Sequence, residues 1–143
     1  MAVKLEWRPI HQRAQEPGRK RETDAAYDLY AVQGVNILPH DYNEVPIGIE
    51  VSAPPGYYYT IEGRSGMLKQ GIIAMRGIID ATYTGQVFVV LYNVSGNVYH
   101  VKIGDRVAQM ILHKMHDVNF EKVEEFSPAY DQRGKAGWGS SGS

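Results

Sequence analysis

Apolar and polar positions alternate in short runs along most of the chain. Val45, Ile47, Ile49 and Val51 alternate with Pro46, Gly48 and Glu50, a period of two that sets one face of a strand against a core. Pro46 has no amide hydrogen to give to a ladder, so this strand is expected at a sheet edge or with a bulge. Further runs rich in β-branched and aromatic residues occupy 3–7, Tyr57–Glu62, 86–93, 98–102, Arg106–Lys114 and 118–123. They are separated by Gly, Pro, Asn and Asp, the spacing of a sandwich or barrel. No segment keeps a 3.6-residue period over three turns. The best helical stretch, 65–70, follows Gly63-Arg64 and stops at Gly71. The pattern predicts an all-β domain with one short helix.

Composition narrows the class. A chain of 143 residues is one domain's worth. At this size a single core buries about 68–70% of the unfolded surface without staples. The absence of cysteine excludes a disulfide framework, a Cys-bearing zinc site and thiol nucleophile chemistry. A 43% hydrophobic content is that of ordinary globular domains, and no apolar run reaches the ~20 residues that span a bilayer. Glu6, Arg8 and His11 stand where a signal peptide needs its apolar stretch, so the expected compartment is the cytoplasm, or host cytoplasm or nucleus for a viral source. A net charge of −1 gives no bulk pull toward nucleic acid or an anionic membrane.

Two flanks differ from the middle. Residues 11–23 hold Arg13, Arg19, Lys20 and Arg21 against Glu16 and Glu22 around a Pro17-Gly18 turn, and read as a solvated loop or a short basic arm. Residues 127–143 contain four glycines and four serines and too little aliphatic surface to offset their ordering entropy. The expected division is a β-domain over 1–126 and a flexible arm over 127–143.

Several clusters could carry chemistry, and each has a plain structural alternative. Gly63-Arg64-Ser65-Gly66 opens the helix with backbone N–H groups, a hydroxyl and a guanidinium, which would suit an oligophosphate or simply make a tight turn. In Gly77-Ile78-Ile79-Asp80-Ala81-Thr82-Tyr83-Thr84-Gly85 the carboxylate of Asp80 could orient and deprotonate a water, or could start a turn that Tyr83 caps. Gln109 is the one uncharged polar side chain between Val107 and Leu112 and needs a partner if buried. The segment from Arg133 to Gly142 carries a guanidinium, the flat ring of Trp138 and two hydroxyls, the parts that close over a phosphorylated base; it also resembles an engineered linker. His113 and His116, three apart on a strand, would project to opposite faces, which argues against a shared metal.

Taken in order, Asp24-Ala25-Ala26-Tyr27-Asp28-Leu29-Tyr30-Ala31 and the clusters at 63–66, 77–85, 104–112 and 133–142 resemble the five motifs of the trimeric dUTPases. The resemblance covers nearly the whole chain. It implies a distorted jelly-roll or β-clip-like subunit, assembled as a homotrimer whose three sites lie between subunits, with each C-terminal arm closing over a neighbouring site. It implies hydrolysis of dUTP to dUMP and pyrophosphate by water attack at the α-phosphorus, which limits uracil incorporation into DNA and supplies dUMP for thymidylate synthesis. The cofactor implied is Mg²⁺, held mainly by the triphosphate. On the family pattern Asp80 activates the water and Gln109 sits beside it and the phosphates. Arg64, Ser65 and Gly66 cradle phosphate, and Asp28 reaches the magnesium through its hydration water. Tyr83 lies under the deoxyribose, while the hairpin backbone at Gly77, Ile78 and Ile79 reads uracil. Arg133 meets the terminal phosphate, Trp138 stacks on the base, and Gly139, Ser140 and Ser141 wrap the phosphates. No nucleic-acid or membrane partner is implied.

The chain departs from that pattern in places. Trp138 stands where most relatives have Phe, which keeps the stacking face. Thr84 replaces a common Arg or Gln, Ala81-Thr82 replaces a more acidic pair, Ala74 replaces an Asn that helps hold the base, and the first motif begins Ala-Ala. The sibling dCTP deaminases use a glutamate at the end of the strand after the hairpin, and 87–93 contains no acid. A nucleotide-dependent regulatory protein of the same fold would be marked by an insert, and none is obvious.

Overall fold

The computed structural model describes residues 2–139, and Ser140 and Ser141 lie outside them. Among the described residues the chain forms eleven strands and one short helix: β1 (Glu6–Pro9), β2 (Tyr27–Tyr30), β3 (Val35–Ile37), β4 (Tyr42–Val45), β5 (Ile49–Ser52), β6 (Tyr57–Glu62), α1 (Ser65–Leu68), β7 (Ile72–Ala74), β8 (Gly77–Ile79), β9 (Val89–Asn93), β10 (Tyr99–Val101) and β11 (Arg106–Lys114). They pair as β2-β11-β6-β8, β4-β9-β7, β1-β5 and β10-β3, all antiparallel. The all-β expectation with one short helix holds.

The buried faces of these sheets converge on one core. Leu29, Ile37, Val45, Ile49, Ile61, Leu91 and Val107 are all but inaccessible, and each such side chain contributes about 1.5–3 kcal/mol by leaving water. Two polar side chains tie the layers together. The Tyr59 hydroxyl on β6 donates to the Val51 carbonyl on β5 at 2.8 Å. Asn93, fully buried at the end of β9, donates through Nδ2 to the carbonyls of Ile37 (2.9 Å) and Asn97 (2.7 Å), while Oδ1 accepts from the Ser95 amide and hydroxyl.

Several expectations need correction. The alternating run from Val45 to Val51 is two strands, because β4 leaves its pairing with β9 at Val45 and β5 takes up pairing with β1 at Ile49; between them Gly48 holds φ +65°, which suits glycine. Its four apolar residues are nonetheless all buried, since both strands face the same core. The helix covers Ser65–Leu68, and turns rather than helix carry the chain on to Gly71 at φ +78°. Strands β2, β3, β7 and β8 were not foreseen; each is three or four residues long, too short for a period to show. The 77–85 segment is not a simple hairpin, because β8 pairs with β6 while β9 pairs with β4 and β7. Residues 118–123 form no strand, and Val118 and Phe120 stand 65% and 92% exposed, because no strand of the same chain pairs with them.

Asn93→Ala would leave the Ile37 carbonyl in the core without its donor. Calorimetry should show a loss of about 3 kcal/mol, or roughly 10 °C in Tm; an unchanged Tm would mean that the Ser95–Asn97 turn holds itself.

Candidate active site

The site is built on one face of the central sheet. A bulge where β11 meets β2, between Arg106 and Ala108, turns both Val107 and Ala108 into the core and leaves Gln109 on the opposite face. Gln109 lies across from Asp28 on β2 and across from Glu62 on β6, so side chains from three strands form one row. Its amide donates to the Gly63 carbonyl at 2.8 Å, which supplies the partner the sequence demanded. The Arg64 Nε donates to Asp28 Oδ1 at 3.2 Å and its Nη1 to the Arg106 carbonyl at 3.3 Å. The Arg106 Nη1 stands 3.7 Å from Asp28 Oδ2. Two guanidiniums share one carboxylate, which leaves a net positive charge beside the exposed Ser65 and Gly66. A Cβ built on Gly66 meets nothing within 4 Å, so the surface over the first turn of α1 is open. That is an anion cradle.

Asp80 and Tyr83 occupy a different corner. β8 is the edge strand of the sheet, so backbone groups on its outer side face away from β6. Asp80 follows it, exposed, and its carbonyl accepts from the Tyr83 amide at 3.3 Å. Between them Thr82 holds φ +65°, with its amide bonded to the Ala53 carbonyl at 2.9 Å. The Tyr83 hydroxyl donates to the Gln86 carbonyl at 3.1 Å. Its ring lies against Gly85, where an added Cβ would come within 2.3 Å of the phenolic oxygen. Only glycine leaves room for the ring. The pKa of the buried phenol of Tyr59 is raised by burial and, to a lesser degree, by Tyr83.

These two corners are far apart within one chain. Because β8 runs antiparallel to β6 with Ile79 opposite Tyr59, Asp80 lies beside the start of β6, while Arg64 lies beyond its end. Six strand steps separate them, roughly 20 Å at about 3.3 Å per residue. Of the expected residues, the fold brings together Asp28, Arg64, Ser65, Gly66 and Gln109, and holds Gly77, Ile78, Ile79, Asp80 and Tyr83 elsewhere. Arg133, Trp138 and Gly139 are exposed on the C-terminal segment. Among the described residues no group of three His, Cys, Asp or Glu could hold a metal by itself.

A second polar network on the same face escaped the sequence reading. Thr60, buried in β6, donates its hydroxyl to Glu62 Oε2 at 2.6 Å and stands 2.9 Å from His113 Nε2, while the Arg76 Nε donates to the same Glu62 oxygen at 3.0 Å. The His113 ring stacks on Tyr58 at 4.9 Å. The available signal was that Thr60 and Glu62 sit two apart on an otherwise apolar strand. Thr60's hydrogen bond, opposed by partial burial and reinforced by Arg76 and His113, lowers the Glu62 pKa. A depressed carboxyl pKa stabilises the fold above the unfolded value near 4.3, and the gain is lost as pH falls through the folded value. The Tm gap between the wild type and Glu62→Gln should therefore be largest above the unfolded value of about 4.3 and close as pH falls through the lower folded value. A gap that does not vary with pH would count against an ionised Glu62.

The dUTPase family model matches residues 12–142. A deoxyuridine 5'-triphosphate nucleotidohydrolase of Helicobacter pylori (strain P12) is 34% identical over 143 residues, covering 98% of this chain and 97% of that protein. The enzyme of the same name from Saccharomyces cerevisiae is 40% identical over 131 residues, covering 88% and 86%. Among solved structures, the Staphylococcus bacteriophage 80alpha dUTPase with dUpNHpp superposes with a TM-score of 0.85 at 26% identity, over 98% of this chain and 99% of that one. A dUTPase variant from phage phi11 of S. aureus, described for its coordination of a structural Mg(II) ion, reaches 0.78 at 25% identity, over 86% and 98%. Sequence match and fold agree, and the chain belongs to the dUTPase family.

Proposed function

We propose that this chain is a dUTP diphosphatase that hydrolyses dUTP to dUMP and pyrophosphate, with sites shared between the subunits of a homotrimer. The observation that carries the reading is the cradle of Arg64, Asp28 and Gln109 at one end of β6, with the carboxylate of Asp80 presented at the other. Cradle and base, roughly 20 Å apart in one chain, meet on a single α-phosphorus only when they come from different copies. Residues 1–126 act as the β-domain and 127–143 as the arm that closes over the bound nucleotide. The exposed apolar residues Val118, Phe120 and Phe126, which precede the arm, support contact with a neighbouring subunit.

In this reading Arg64 turns its guanidinium from Asp28 to the phosphates, where charge-assisted bonds are strongest. Ser65 and Gly66 add donors at the first turn of α1. Asp80, from another subunit, takes the proton of the attacking water, and Gln109 orients that water while anchored to Gly63. The outer edge of β8 at Gly77, Ile78 and Ile79 reads the base, and the Tyr83 ring fills the space of a 2′-hydroxyl. Trp138 stacks on the base, Arg133 meets the terminal phosphate, and Gly139, Ser140 and Ser141 wrap the triphosphate. A single carboxylate, Asp28, suits Mg²⁺, which is commonly held by one or two carboxylates, waters and substrate phosphates. When bound, the ion neutralises phosphate charge. The β9 strand carries no acid, as a dUTPase rather than a deaminase requires on the family pattern. No helix among the described residues is long and apolar enough to cross a membrane, and the cytoplasm is the compartment we propose.

A turnover assay with dUTP and Mg²⁺ tests the reading, and no release of pyrophosphate by the wild type would end it. Asp80→Asn should lower kcat roughly 10²–10⁴-fold, the usual worth of a positioned base. Asp80→Asn and Arg64→Ala subunits, each inactive alone, should recover up to about a quarter of wild-type activity after mixing and reassembly, because one site in four then has both intact residues. A mixture as dead as its parents would refute the sharing.

Gly85→Ala should push the Tyr83 ring outward without unfolding the domain, since the ring is partly exposed. The preference for dUTP over UTP should fall roughly tenfold or more. An unchanged ratio of kcat/KM values would place sugar discrimination elsewhere.

A further inference from the structure

We infer that the Arg76–Glu62 ion pair is the lock that sets the register of β8, so that these two are positioning residues for the base-reading edge and for Asp80. The inference rests on the reading of β8 as that edge. β8 is three residues long, sits at the edge of its sheet and meets β6 in three pairs, Tyr59↔Ile79, Thr60↔Ile78 and Ile61↔Gly77. A one-residue slip sends every side chain of a strand to the other face, and a buried apolar face normally forbids it. Here the apolar pattern alone does not decide. Ile79 packs on the core and Ile78 stands 67% exposed, so a slip would exchange one isoleucine for another; what resists it is charge, because Arg76 and Asp80 share the face of Ile78 and would turn with it toward the core.

The flanks do not settle the register by themselves. The Met75 amide bonds to the Val90 carbonyl and the Thr82 amide to the Ala53 carbonyl, which ties the ends of the segment to other strands. Between those anchors one residue can still move from one flank to the other as a bulge. Arg76 removes that freedom. It stands immediately before β8, in the row after Ile61↔Gly77, and its Nε reaches Glu62 Oε2 at 3.0 Å. The same oxygen accepts from Thr60, whose hydroxyl faces His113 on β11. One carboxylate thus links the strands that lead to Asp80, to Arg64 and to Gln109. A slip would break it and turn Asp80 from the site face.

The expected kinetic signature is a population shift. If only the locked register binds nucleotide, substrate draws slipped molecules back, so the apparent affinity falls by the competent fraction while the saturated rate survives. Losing about 1 kcal/mol, the size of a partly exposed charge-assisted pair, multiplies the slipped-to-locked ratio about fivefold. Arg76→Ala and Arg76→Gln should therefore raise KM for dUTP by at most about fivefold, as the competent fraction falls, and leave kcat within about twofold. Arg76→Lys should restore most of the loss, and Glu62→Gln should mimic Arg76→Gln. Amide hydrogen exchange read by NMR should quicken about fivefold at residues 77–80 and stay unchanged along β11. An unchanged KM together with unchanged exchange in Arg76→Gln would overturn the lock. So would a fall in kcat at constant KM, which would put Arg76 at the chemistry, or faster exchange across the whole sheet, which would make the pair general scaffolding. Failure of the wild type to turn over dUTP would sink the proposed function instead, and the exchange comparison would still test the lock.

Discussion

The structure depends on the pairing of β6 with β11. Six consecutive cross-strand pairs, from Gln109↔Glu62 to Lys114↔Tyr57, set every other placement in the site. β11 continues the row to Asp28 on β2, and β6 passes it to β8 and, through Gly63, to the arginine and first turn of the helix. Because side chains alternate, one choice of register puts Tyr59, Ile61, Met110 and Ala108 into the core and Thr60, Glu62, Gln109 and His113 on the opposite face. Burial of the first set holds the second in place. The polar face is therefore positioned by apolar packing that it does not share.

That arrangement also separates the parts of the chemistry. A strand of six residues is long enough to keep the Asp28–Arg64–Gln109 group and the Asp80 carboxylate from reaching the same atom, and antiparallel pairing puts them at its two ends. The proposed function therefore requires that the two groups come from different copies of the chain. The exposed apolar side chains before the arm, Phe120 at 92% and Phe126 at 71%, fit a segment whose partner lies outside its own subunit.

The two longest strands were legible in the sequence and several short ones were not. Tyr57–Glu62 and Arg106–Lys114 have the residue types and length for a strand to declare itself, and their bounds agree with the structure. β2 and β8 carry Asp28 and the approach to Asp80, yet span four and three residues. They are strands because long neighbours offer them an edge, which is tertiary information. The apolar face of 45–51 was read correctly while its break was not, because a change of sheet partner between two strands that face one core leaves the alternation intact. The candidate site residues were proposed from ordered motifs, whereas their grouping within one chain could not be read there. Nothing in the order of motifs says that Arg64 meets Asp28 while Asp80 stands at the far end of the strand. The Glu62–Arg76 pair went unseen for the same reason, since the two lie fourteen positions apart with a helix between them.

The turn after β8 shows how the chain manages without acidic neighbours for Asp80. Thr82 adopts φ +65°, a conformation that a β-branched residue resists and that costs on the order of 1–3 kcal/mol. It persists because the surroundings over-determine it: its amide is held by the Ala53 carbonyl, its hydroxyl by the Ala81 carbonyl, and the next residue closes the turn onto the Asp80 carbonyl. Each of these bonds uses a main-chain carbonyl, so the shape of the turn needs no second carboxylate near Asp80. Backbone support thus leaves the Asp80 carboxylate exposed, and the closed turn ends with the Tyr83 ring against Gly85, where no side chain stands in its way.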